Sequence, residues 1–120
     1  MSYQKMMLIL NQYEGVDLHL NSKGDGFRFP VYLNDRYKEV GVDSLELSER
    51  SSNCLKRAGY KNLYDLFINI SGRTDLLKIR NLGAKSSREI MEQIFIFQYL
   101  NLKPEQRDRY INRIIEMNCK

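Results

Sequence analysis

Between residues 48 and 90 the sequence holds so many helix start and stop signals that only short helices, packed as a bundle, can satisfy them. Ser48 can cap a helix whose first turn holds Glu49 against the helix dipole, and Gly59 ends it. Asn62 caps a second helix, LYDLFINI, with Asp65 at the third helical position, and Ser71 and Gly72 stop it. Thr74 caps a short third helix, DLLKI. Asn81, Leu82 and Gly83 form a tight connection into a fourth, which begins near Ala84 and turns Ile90, Met91, Ile94 and Phe97 inward. Two helices joined by a short glycine turn make a helix-hairpin-helix. That arrangement presents backbone N–H groups at a helix start, where they can hold a phosphate without any base contact.

The same stretch holds the excess positive charge. From Ser48 to Glu89 nine Lys and Arg face four Asp and Glu, whereas the whole sequence is +4, so the flanks together are slightly acidic. A basic surface beside a glycine hairpin suits a polyanionic partner, although a solvated charged face is the plainer account of such an excess. Arg50, Asn53 and Lys56 or Arg57 recur at three- and four-residue spacing and so share one face of the first helix. Lys61 and Arg73 read as solvation.

Outside this stretch the signals are simpler. Met6 to Leu10 is a continuous apolar run whose straight-chain residues favour a helix. Val16, Leu18 and Leu20, then Phe27, Phe29 and Val31, alternate with polar residues about a turn at 22–26. Residues 16–33 therefore read as a β-hairpin, with Pro30 suggesting an edge. Residues 34–41 are polar and end in Gly41, which marks a boundary. Pro104 suits the first position of a last helix, with Glu105 in its first turn and Ile111, Ile114, Ile115 and Asn118 on one stripe. The expected architecture is mainly α: a small α/β N-terminal unit over 1–41, a compact bundle of short helices with a helix-hairpin-helix over 42–102, and one C-terminal helix over 103–120.

Composition excludes several functions. At 120 residues the protein makes one domain with an appendage. Cys54 and Cys119, with His19 as the one imidazole, provide neither a disulfide framework nor a zinc set. His19 reads as a polar-face strand residue. There is no GxxxxGK[ST] loop and no catalytic carboxylate pair at recognisable spacing, so the protein is expected to be no enzyme and to need no cofactor or metal. No signal peptide or membrane-length apolar run is seen, and a cytoplasmic location is expected.

Taken together, VDSLELSERSSNCLK and LLKIRNLGAKSSREI resemble the C-terminal domain of the bacterial RNA polymerase alpha subunit. The likeness covers roughly Val42 to Leu100. It implies a helical bundle that binds the minor groove of A/T-rich promoter DNA in transcription. By that resemblance Arg50 enters the groove with Asn53 and Cys54 beside it. Gly83, Lys85 and Ser86 hold the backbone, and Glu89 lies next to Arg50 and helps set its direction; Lys56, by its charge, is expected to neutralise phosphate beside them. A narrow A/T groove concentrates negative potential, so one guanidinium can read its shape with little base code. The resemblance also implies a protein-facing acidic patch, at Asp43 and Glu46, with Ser44 where an acid is usual. Glu49 and Ala84 depart from the family pattern toward less positive charge. The first 41 residues show no likeness to the alpha subunit's assembly domain, so a stand-alone bacterial protein is expected. The alternative is an adaptor that docks on RNA polymerase, sigma factor or a transcription regulator without binding DNA significantly.

Overall fold

A computed structural model describes residues 2–13, 31–69 and 82–118. The described residues form five α-helices and two short 3-10 turns, with no strand. The hairpin expected over 16–33 falls mostly outside them, as do His19, the third short helix with its Thr74 cap, and Asn81. Residues 31–33 are irregular.

Helix α1 (Ser2–Leu10) settles the ambiguity of the apolar run. Met6, Ile9 and Leu10, at helical spacing, are buried, while Leu8 between them is two-thirds exposed. The buried face packs on α4 (Ala84–Asn101), at 18 residues the longest of the described helices. Just past α1, the Tyr13 and Tyr99 hydroxyls meet at 2.7 Å with their rings edge to face, and burial pushes the Tyr13 phenol above its ordinary pKa.

The polar stretch expected as a boundary is pinned to the bundle. Asn34 accepts the Arg36 N–H at the start of a 3-10 turn, Asp35–Glu39. The same turn sends Tyr37 edge-on against Phe67 and Phe97, at 5.4 and 5.6 Å between ring centroids. Backbone bonds from Leu63 to Val40 and from Val42 to Lys61 then tie it to the start of α3 (Leu63–Asn69). A second 3-10 turn, Val42–Leu45, buries both of its end residues and ends at Glu46 in the left-handed region, at φ 55°.

Helix α2 (Glu49–Arg57) begins and ends as its sequence dictates. The Ser48 hydroxyl accepts the Ser51 N–H, and beyond the last turn Gly59 has φ +96°, a conformation side chains with a Cβ resist. The α3 cap is likewise Asn62, whose side-chain oxygen takes the Asp65 N–H at 2.8 Å. Ile90, Ile94 and Phe95 of α4 are fully enclosed with Leu55, Leu63 and Leu66, and Met91 is buried too, whereas Phe97 is only half-buried.

Helix α5 (Pro104–Asn118) starts at the expected proline. Its Tyr110, Ile111 and Ile114 are buried; Tyr110 stacks on Phe95 at 6.0 Å, and its hydroxyl accepts from Gln98 in the interior. The side chains of Ile115 and Asn118 lie outside the described residues. Arg107 donates to the Tyr99 and Leu100 carbonyls and lies over the Tyr99 ring, so a cation from α5 closes the C-terminus of α4.

Candidate nucleic-acid interface

A helix start is an anion site only when nothing in the protein already occupies it. Three described starts in the central bundle differ in this respect. That of α3 is closed by Asn62. The start of α2 is closed twice over: the Glu89 carboxylate, brought across from α4, accepts from the Ser48 N–H and hydroxyl at 2.9 Å each and from the Ser51 hydroxyl at 2.5 Å. Here Glu89 does for α2 what a bound anion would do. It also docks α2 on α4, because Ser51 is fully buried at the crossing.

The start of α4 is different. Gly83 caps it in extended backbone at φ −78° and ψ 175°, with no side-chain cap and no acidic residue in the first turn. That φ is open to any residue, so local conformation does not require the glycine. A Cβ built at Gly83 would also meet nothing within 4 Å. The missing side chain leaves the backbone accessible from outside. Lys85 beside it is exposed and Ser86 half-buried. One turn on, Ser87 is buried and donates both its N–H and its hydroxyl to the Gly83 carbonyl at 3.0 Å, which fixes the first turn.

Helix geometry sorts the α2 candidates. At about 100° per residue, Arg50, Asn53 and Arg57 fall within one narrow arc, and all three are exposed. Ser51, Ser52, Cys54 and Leu55 fill the opposite side and are buried. Cys54 borders Arg50 around the helix and is 5% exposed, on the buried side of the arc. Lys56 lies about 60° around from Asn53, at the far rim of the arc.

Lys56 also has an acidic neighbour. Its ammonium is 3.0 Å from Asp43 on the second 3-10 turn, and the other Asp43 oxygen accepts from Ser52 at 2.8 Å. The Ser52 bond first, then Lys56, holds the Asp43 carboxyl below its ordinary pKa. Glu46 is exposed and lies 3.9 Å from Lys5 of α1. Both acids of the expected protein-facing patch are at the surface, each with an internal cation beside it.

Glu89 joins the first turns of α4 to the start of α2, the helix that carries Arg50. The resemblance makes Glu89 a neighbour that directs Arg50; among the described residues its carboxylate bonds Ser48 and Ser51, which hold the start of the helix that carries Arg50. Arg57 is on the expected face but not among the expected contacts. The spacing holds that signal: seven residues from Arg50 is nearly two full turns, closer around the helix than Lys56 at six. The Ser48 and Ser51 hydroxyls are visible in the sequence only as a cap, because their acceptor is 41 and 38 residues away.

The fold and site define a small helical module in which short helices pack around one long helix, with no side-chain cap at the long helix's start among the described residues. Residues 33–94, just over half of the 120, match the model of the C-terminal domain of the bacterial RNA polymerase alpha subunit, and the protein belongs to that family. It is 48% identical over 67 residues to the DNA-directed RNA polymerase subunit alpha of Malacoplasma penetrans, covering 56% of this chain and 19% of that one. To the same subunit of Moorella thermoacetica it is 40% identical over 60 residues, 50% of this chain and 18% of the other. With that of Carboxydothermus hydrogenoformans it shares 35% over 81 residues, 64% of this chain and 25% of the other. The protein thus spans about a fifth to a quarter of the length of these relatives. No solved structure matches it. Among the described residues no helix is long and apolar enough to cross a membrane.

Proposed function

We propose that this protein is a non-enzymatic, cytoplasmic DNA-binding module that acts in transcription alongside RNA polymerase, and that it grips A/T-rich duplex across the α2–α4 crossing. Arg50 enters the minor groove with Asn53 beside it; Gly83, Lys85 and Ser86 hold a phosphate at the start of α4; Lys56 and Arg57 lie along the flanking strand; and Glu89 positions α2. The observation that carries this reading is the contrast between helix starts. The protein supplies its own carboxylate to α2, and among the described residues no side chain caps the glycine-led start of α4, which stands next to a lysine.

About three neutralised phosphates give a log K against log salt slope of about −3, which is weak binding for a lone module. Tethering to polymerase, or to a regulator or sigma factor met through Asp43 and Glu46, would supply the missing effective concentration. Residues 1–41 form the N-terminal unit of this reading, 42–102 the module and 103–120 its closing helix.

The test is fluorescence anisotropy on A/T-rich and G/C-rich duplexes at two salt concentrations, with Arg50→Ala alongside. Wild type should prefer the A/T duplex, and the variant should lose about fivefold or more in affinity together with that preference. If wild type and variant bind both duplexes alike, the groove reading is wrong. An adaptor that works through Asp43 and Glu46 then takes its place.

A further inference from the structure

Lys56 is the one cation of the α2 face that a described acid has taken. Its position explains how it could serve two partners: it lies about 60° from Asn53 on one side and reaches Asp43 on the other, 3.0 Å away. Ser52 does not compete for the same oxygen. It holds Oδ1 of Asp43 and leaves Oδ2 aimed at the lysine, so the carboxylate is fixed in place whether or not Lys56 stays. About half of the Lys56 side chain is exposed, as is 70% of that of Asp43, so the pair can open without unpacking the core.

Resting on the DNA-binding reading above, we propose that Asp43 is an internal competitor of phosphate for Lys56: an autoinhibitory contact that keeps one cation of the α2 face back from nucleic acid. In the closed form the ammonium neutralises Asp43 and contributes little to the backbone contact. When a cationic side chain from outside occupies Asp43, Lys56 is released toward the strand. Occupancy of the acidic patch and grip on DNA are then positively linked, and by reciprocity each strengthens the other. Glu46 does not take part, because its neighbour is Lys5 of α1, away from the α2 face.

Asp43→Asn mimics the released state. It removes the charge that holds Lys56 while keeping an oxygen for Ser52. Measured by anisotropy on an A/T-rich duplex at low salt, Asp43→Asn should bind about two- to fivefold more tightly than wild type, the range expected for an exposed ion pair. The log K against log salt slope should steepen by about 0.9, one added phosphate contact. Lys56→Gln should abolish the gain in the double variant. Glu46→Gln makes the same change in net charge and should give less than half the Asp43→Asn gain.

An Asp43→Asn gain that survives in the Lys56→Gln background, or no gain at all while wild type binds, overturns the competitor and leaves the DNA-binding reading intact. If wild type fails to bind but Asp43→Asn binds through Lys56, the competitor stands. If neither binds, both readings fall.

Discussion

Replacing Glu89 tests whether one carboxylate holds α2 in place. In Glu89→Ala the N–H of Ser48 and the hydroxyls of Ser48 and Ser51 lose their shared acceptor. Water can reach Ser48, which is exposed; Ser51 is fully buried and keeps only its 3.1 Å contact with the Ser48 hydroxyl, so the cost is concentrated in one under-satisfied hydroxyl and in the lost anion at the helix start. A buried unsatisfied hydroxyl costs about 1–3 kcal/mol, and a charge at an exposed helix terminus contributes about 0.3–1. Discounting the exposed Ser48 bonds, the loss should be about 2 kcal/mol. For a protein of this size that lowers Tm by about 8 °C. Circular dichroism melts supply the measurement. Glu89→Gln, which keeps one accepting oxygen and no charge, should lose about half as much. Ser51→Ala should suppress most of the Glu89→Ala cost, because the under-satisfied hydroxyl is then gone. A Glu89→Ala melt within about 2 °C of wild type, or an equal cost in the Ser51→Ala background, would refute the reasoning.

Two further outcomes follow from the same geometry. Gly83→Ala should leave Tm unchanged or slightly raised, since φ −78° suits alanine and its Cβ meets nothing within 4 Å. Its DNA affinity, read by anisotropy, should fall about tenfold, and unchanged affinity would show that no phosphate approaches that backbone. The lowered Asp43 pKa means that its contribution to stability is fully present above the ordinary carboxylate value of 3.8 and is lost as pH falls through the lower folded value. In an NMR carboxyl titration, Ser52→Ala and Lys56→Gln should each raise the Asp43 midpoint, and a midpoint that one of them leaves unmoved would show that this partner does not hold the carboxylate.

Local chemistry is the readable part of this sequence. Ser48, Gly59, Asn62 and Pro104 stand where the sequence puts a cap, a stop, a cap and a first turn, because each acts within four residues of itself. The helical reading of Met6–Leu10 is realised for a different reason. A run that is apolar at every position is ambiguous until one face is covered, and α4 covers Met6, Ile9 and Leu10. What the sequence could not show were pairings across distance. The polar stretch 34–41 resembles a linker until Tyr37 finds Phe67 and Phe97, and Asp43 and Glu46 resemble a free acidic patch until Lys56 and Lys5 arrive. Cys54 differs: the resemblance alone sets it beside Arg50 at the face, and in the structure it lies on the buried side of the arc.

The carboxylates of Glu89 and Asp43 act in opposite ways, and the difference lies in what each one pairs with. Glu89 takes donors that water could not satisfy as well, among them a buried hydroxyl, so it fixes the frame on which Arg50 stands. Asp43 takes an exposed ammonium that water or a phosphate could satisfy equally, so it sets how much charge that frame displays. Removing the first should weaken DNA binding through the position of α2, and removing the second should strengthen it through Lys56. Because the two sites share only α2, their effects on affinity should be close to additive in Asp43→Asn with Glu89→Gln. A large departure from additivity would mean that the position of α2 itself governs whether Lys56 can leave Asp43.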